Sequence, residues 1–299
     1  MAFDSVETPF GKVEEAIGGS AMFFSTSASY FNQIQLVAVV GDDFPEREID
    51  FLKSREIDCK GLHRAKGKTF RWEGKYGFDL NEAITLDTQL NVFGDFHPKL
   101  PEDYRDAESV FLANIDPDLQ LEVLEQVRNP RFVAVDTMNF WIDSKRDRLE
   151  MVISKVDMVI INEGEARKIA GEANMVQAAR KIQAMGPRFV VIKRGEYGAL
   201  CFAEEEIFFA PAYPLESVYD PTGAGDTFAG GLLGYLTSRE EIGPRDLRQA
   251  TVVGCVMASF CVEDFSLNAM RGLTPAMIEK RFRMFEELAR FDSLELLEP

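Results

Sequence analysis

The sequence predicts an α/β domain with a mainly parallel sheet covered by helices on both faces, interrupted by one small β-rich insertion. Three observations predict it. Short continuous apolar runs alternate with helical patterns over most of the chain, helical patterns alone follow Ala210, and residues 66–92 carry alternating aromatics and glycines with no helical period. Strands buried on both faces read as unbroken apolar runs, and strand–helix alternation is what a helix-covered parallel sheet requires.

Taken in order, the strands fall at residues 36–40, 109–113, 132–136, 158–161, 189–193 and 198–202. Between them the helical periods cover 45–55, 117–127, 163–170 and 175–185. The last third reads as helices over 224–236, 244–262 and 275–290. Thr274-Pro275 is a strong helix start, a capping hydroxyl followed by proline at the first helical position. Ile278, Phe282, Phe285 and Ala289 then recur at three- and four-residue spacing, so this final helix is expected to pack on the sheet.

Residues 66–92 contain Gly67, Gly74 and Gly77 among Phe70, Trp72, Tyr76 and Phe78. They read as two or three antiparallel strands standing off the main sheet, either a lid or a plain edge hairpin. Residues 1–10 show no full apolar strand, although a parallel α/β domain usually opens with one. At 299 residues the chain is about twice the ~150-residue prior for a domain, which one large α/β domain with an insertion accommodates. There is no internal repeat or low-complexity tract.

Composition removes several function classes. Thirty-three Lys+Arg against fifty Asp+Glu give a net charge of −17, which repels nucleic-acid backbones and anionic membrane surfaces. Cys59, Cys201, Cys255 and Cys261 are scattered without a CxxC pair, so neither a disulfide framework nor a zinc site is expected. His63 and His97 are the only histidines, too few for a histidine metal cluster. With no charged-then-apolar leader and no apolar run of about 18 residues, the expectation is a cytoplasmic protein.

The chemistry concentrates in three places. Gly223-Ala224-Gly225 precedes Asp226 and an apolar helical run, so free backbone N–H groups and a helix dipole converge on an anion site. Asp226 beside that site suits a base that takes a proton from an attacking hydroxyl; the alternative is an acid that only stabilises the helix start. At the end of the fourth strand, Asn162 and Glu165 fit either water around Mg²⁺ or a helix-capping box, and the residues alone favour the cap. At the end of the fifth, Lys193 and Arg194 fit phosphate contacts and a solvated hairpin equally well. Gly67-Lys68-Thr69 has the wrong spacing for a P-loop, and Phe228 occupies the third glycine position of a dinucleotide fingerprint.

The run Asp220-Pro221-Thr222-Gly223-Ala224-Gly225-Asp226-Thr227-Phe228 closely resembles the C-terminal signature of the ribokinase-like (PfkB) carbohydrate kinases. Asn162-Glu163-Gly164-Glu165 is similar to that family's Asn-x-x-Glu motif, and Lys193-Arg194-Gly195-Glu196-Tyr197-Gly198 to its strand-end glycine turn. Gly18-Gly19 and Gly41-Asp42-Asp43 match its N-terminal glycine elements, and the motifs span nearly the whole chain in the family's order. The resemblance implies a three-layer α/β/α ribokinase-like fold with a mainly parallel central sheet and a small β lid. Residues 16–65 and 93–299 would be the nucleotide-binding and catalytic domain, and 1–15 and 66–92 the lid segments that contact the acceptor.

The roles it implies are specific. Asp226 is the base, and the amides of Gly223, Ala224, Gly225 and Asp226 form the anion hole. Asn162, Glu165, Lys193, Arg194, Gly195, Gly198 and Thr222 bind ATP, with Glu165 reaching Mg²⁺ through water. Asp220 resembles the residue that helps hold a monovalent cation such as K⁺, and Asp4, Gly18 and Gly19 touch the acceptor's hydroxyls. Lid strands can pair between subunits in this family, which makes a homodimer compatible with the resemblance.

Three departures stand out. Ser20-Ala21-Met22-Phe23-Phe24 lacks the asparagine that many sugar-specific members carry after the double glycine, and Asp136-Thr137-Met138-Asn139 replaces Asp-Pro-Asn. Family members also carry a hydrophobic strand ending just before the aspartate matched by Asp4, so the first residue given is expected to be internal to the reading frame. The resulting expectation is an ATP-dependent phosphotransferase with an alcohol acceptor, acting on a hydroxymethyl group of a small sugar or sugar-containing metabolite. A nucleoside kinase is the nearest alternative, with Phe23, Phe24, Phe70, Trp72 and Trp141 available to stack on a base. A non-catalytic metabolite-binding regulator is the alternative from another class.

Overall fold

The computed structural model describes residues 1–81 and 83–292. The chain opens with a hairpin, β1 (Ala2–Thr8) and β2 (Gly11–Gly18), then helix α1 (Ser20–Ala28). Strand β3 (Gln35–Val40), helix α2 (Glu46–Ser54) and strand β4 (Asp58–Arg64) follow, then β5 (Phe70–Tyr76) and β6 (Ala83–Gln89). Strands and helices next alternate: β7 (Ser109–Leu112), α3 (Pro117–Gln126), β8 (Phe132–Val135), α4 (Asn139–Ser144), α5 (Arg146–Ile153), β9 (Met158–Asn162), α6 (Glu163–Ala170), α7 (Met175–Gln183) and β10 (Phe189–Lys193). After the pair β11 (Ala199–Ala203) and β12 (Glu206–Ala210) come helices α8 (Ala224–Thr237), α9 (Pro244–Cys261), α10 (Asn268–Arg271) and α11 (Pro275–Ala289).

The central sheet runs β12-β11-β10-β9-β8-β7, parallel from β7 to β10 and antiparallel across β10-β11-β12. Its strands explain their own apolar runs. In β8, Phe132 and Ala134 enter one core while Val133 and Val135 enter the other. Met158 and Ile160 of β9 likewise face the first core, and Val159 and Ile161 the second. Alternate side chains thus feed opposite layers, and both must be apolar. The first core holds α1, α8 and α9; the second holds α5, α6 and α7. This is the three-layer α/β/α arrangement.

A four-stranded sheet of order β2-β1-β5-β6 stands beside this body. The insertion supplies two strands, and they pair antiparallel to each other as expected, but β5 joins β1 in parallel. Residues 2–8, which lack a full apolar run, form β1 because alternation suffices there: Ala2, Asp4, Val6 and Thr8 are all buried. Strands β3 and β4 form a separate parallel pair. The final helix departs from its expected position: Ile278 and Phe285 pack against α9 in the first core rather than on the sheet. Among the described residues no helix is long and apolar enough to cross a membrane.

Helix α8 enters the body along α1 through glycines. A β-carbon on Gly230 would lie 2.4 Å from the Phe24 carbonyl oxygen, and one on Gly234 would lie 2.8 Å from that of Ala28. Because cores tolerate little added volume, Gly230→Ala is expected to cost ~1–3 kcal/mol of stability in urea unfolding. Gly272→Ala is expected to change little, since its added β-carbon meets no atom within 4 Å.

Candidate active site

The carboxyl ends of β8, β9 and β10 all open toward the N-terminus of α8. Asp136 follows β8, Asn162 ends β9 and Lys193 ends β10. The Lys193 Nζ lies 3.0 Å from Asp136 Oδ2, a pair sheltered from solvent. Burial by itself would lower the Lys193 pKa, but Asp136, Glu165 and Asp226 around it raise it instead. The same ammonium sits 3.2 Å from the position a β-carbon on Gly225 would take, directly beneath the expected anion site.

The turn into α8 is built on Gly223. Its φ of 75° is left-handed, and a β-carbon there would run into the Phe23 ring at 2.3 Å, so no other residue fits. Of the four amides expected to form the anion hole, that of Ala224 already donates to the Pro221 carbonyl at 3.1 Å. Those of Gly223, Gly225 and Asp226 have no backbone or side-chain acceptor among the described residues. The Asp226 carboxyl is pushed up to about 6, chiefly by burial and then by Asp136, with Lys193 and the Ser20 hydroxyl opposing.

Asp4 of β1 meets this site from the other side. Its Oδ2 accepts from the Gly19 N–H at 3.3 Å. A β-carbon on Gly18 would lie 1.8 Å from that oxygen, so Gly18 is the space the carboxylate occupies, whereas Gly19 has a left-handed φ of 84° and packs against Ala2. Burial, with the neighbouring Asp220 and Asp226, drives Asp4 up to about 7 against the Gly19 bond.

Asn162 and Glu165 do form a capping box. Glu165 Oε2 accepts from the Asn162 N–H at 2.7 Å, and Asn162 Oδ1 from the Glu165 N–H at 2.8 Å. The cap also aims Glu165 inward, where burial and Asp136 lift it to about 7. The residue that caps α6 thus also faces the cleft. Arg194 is engaged elsewhere: its Nε lies 2.6 Å from Glu163 Oε2. Gly195 and Gly198 have φ values of 54° and 88°; a β-carbon on the second would meet the Ala210 carbonyl oxygen at 2.1 Å.

Asp220, expected at a monovalent cation, uses one oxygen on the Thr222 N–H at 2.9 Å and the other on the Ser266 N–H at 3.2 Å. These bonds brace the loop that leads into α8. Thr222 in turn donates from its hydroxyl to the Tyr76 hydroxyl at 3.3 Å, tying β5 to the same loop. Three participants escaped the sequence reading of the site: Asp136, Ser20 and Tyr76. Position at a strand's carboxyl end was the available signal for Asp136; Ser20 and Tyr76 join only through tertiary contact.

Asp4, Glu165 and Asp226 share one consequence. Each holds its proton more tightly folded than unfolded, so its contribution is present at low pH and lost as pH rises through about 6 to 7. The nucleotide-free protein is expected to melt at a higher temperature at pH 5 than at pH 8. Asp4→Asn should narrow that difference in melts at constant ionic strength.

Comparison with known proteins identifies the family. Residues 4–271 match the pfkB family carbohydrate kinases. A cytidine kinase of Thermococcus kodakarensis is 34% identical over 249 residues, covering 80% of this chain and 87% of that enzyme. A nucleoside kinase of Methanothermobacter thermautotrophicus is 24% identical over 273 residues, covering 87% and 82%. In three dimensions, a putative ribokinase II from E. coli in complex with ATP and Mg²⁺ superposes with a TM-score of 0.75 at 19% identity, covering 96% of each chain. The chain therefore belongs to the pfkB family of carbohydrate kinases, phosphotransferases with an alcohol group as acceptor.

Proposed function

We propose that this kinase transfers the γ-phosphoryl group of ATP to the hydroxymethyl group of a nucleoside. The observation that carries the reading is the likeness to the cytidine kinase across most of both chains. It moves the nucleoside ahead of the simple sugar that the sequence alone put first; a nucleoside is itself a sugar-containing metabolite. The regulator alternative loses ground, because relatives aligned over most of their length are named kinases and Asp226 keeps the setting a base needs.

In this reading Asp226 accepts the proton of the attacking hydroxyl. A carboxyl held near 6 is ionised at neutral pH yet basic enough for the transfer. The open N–H groups of Gly223, Gly225 and Asp226, with the α8 dipole and the Lys193 ammonium behind them, face the charge that develops on the phosphoryl group. Asp4, near 7, both donates to and accepts from sugar hydroxyls, with Gly18 and Gly19 beside it. Asn162, Thr222, Gly195 and Gly198 border the nucleotide side, and Arg194 acts there only by leaving Glu163. The sheet β2-β1-β5-β6 serves as the lid over the acceptor.

Among the described residues no three acidic, histidine or cysteine side chains converge on a metal position. Mg²⁺ keeps several waters and takes other ligands from phosphates. Glu165 and Asp136, buried carboxylates at neighbouring strand ends, would hold it through water. When bound, the ion neutralises phosphate charge.

With ATP and a panel of nucleosides and sugars, phosphorylation of cytidine or another nucleoside in preference to ribose supports the assignment; turnover of sugars alone refutes it. Asp226→Asn is expected to lower kcat by at least ~10²-fold with folding intact. For the wild type, kcat/KM should fall on the acid side of about pH 6, where the base becomes protonated.

A further inference from the structure

Five aromatic residues were available to meet a base, and the fold has already employed four of them. Phe23 is buried against Gly223, Phe24 stacks on Phe111 with centroids 4.3 Å apart, Phe70 packs edge-on to Phe93, and Trp141 edge-on to Phe140. Trp72 differs. It is half-buried and has no aromatic ring packed on it among the described residues, while like Phe70 and Trp141 it lies outside both cores and their rims.

Its surroundings are those of a ring laid down on purpose. The six-membered edge of the indole lies over Gly74, so close that a β-carbon there would fall 2.1 Å from the ring. On the neighbouring strand, the Thr85 hydroxyl accepts from the indole Nε1–H at 3.2 Å. Gly74 thus supplies the space and Thr85 the anchor, and the indole lies along the sheet instead of standing off it. The register shows which face this is. Trp72 is the parallel partner of Asp4, so both side chains point the same way. Tyr76, four residues further along β5 and so on the same face, reaches Thr222 in the loop before Asp226.

We propose that Trp72, held down by Gly74 and Thr85, is the platform on which the nucleobase of the acceptor stacks, and so a specificity-determining residue. This rests on the nucleoside reading above. An aromatic face binds any base through its π surface, while Asp4 beside it takes the sugar hydroxyls, so one strand pair reads both halves of a nucleoside. A sugar without a base gains nothing from the indole.

The chain has two tryptophans, which makes the platform directly observable. In Trp141→Phe protein, whose fluorescence comes from Trp72 alone, cytidine is expected to quench the emission and ribose to leave it unchanged. Trp72→Ala should raise the nucleoside KM roughly 5- to 150-fold, the range that base–aromatic stacking gives on alanine substitution, with kcat and any ribose turnover changed little. Trp72→Phe should recover most of the affinity. Gly74→Ala, which displaces the ring without removing it, should raise KM in the same way and add nothing to Trp72→Ala. If nucleosides are phosphorylated but neither quench nor KM change occurs, the platform is wrong and the nucleoside reading stands. If ribose is phosphorylated and no nucleoside is, both fall.

Discussion

The contact between Lys193 and Asp136 sets the terms for the rest of the cleft. Both groups sit at carboxyl ends of central strands, where their side chains meet near the start of α8. Asp4, Asp136, Glu165 and Asp220 are all buried around this space, and the half-buried Asp226 faces it. That much buried acid is unfavourable, and the raised pKa values of Asp4, Glu165 and Asp226 are its measure. Lys193 is the ammonium that makes the cluster tolerable. Leaving either partner of such a pair alone in the interior is far costlier than the pair itself.

The same arrangement resolves the charge problem posed by a net −17 surface that handles phosphate. Attraction has to be local. In the proposed reading the N-terminus of α8 supplies it through backbone groups, with the Lys193 ammonium directly behind Gly225. For the helix terminus to reach that point, α8 must lie close along α1, which Gly230 and Gly234 permit. The glycines of this chain therefore serve two separate ends: Gly223 and Gly198 accept left-handed backbone, whereas Gly230 and Gly18 make room for neighbouring groups.

Much of the architecture was legible from residue order. Strands β8, β9 and β10 announced themselves because both their faces are buried, and α6 because Asn162 and Glu165 cap it. The Gly223–Asp226 turn was equally plain. Other parts carried no such signal. Strand β1 has an aspartate and a threonine at buried positions, and its burial depends on partners in β2 and, 68 residues away, in β5. The packing of α11 on α9 was misplaced because an apolar stripe says that a helix is covered and not by what.

By itself the sequence determined the α/β alternation and the glycine-rich start of α8 with Asp226 in its first turn, since each is a local pattern whose physics acts over a few residues. Only the tertiary structure decided which charges share the cleft. It joined Asp136 to Lys193, brought Asp4 under Gly18 and Gly19, withdrew the Ala224 amide into a turn and laid Trp72 over Gly74. Those are matters of register and burial. They arise when distant strands meet, and no spacing along the chain encodes the distance between two side chains that approach across a sheet.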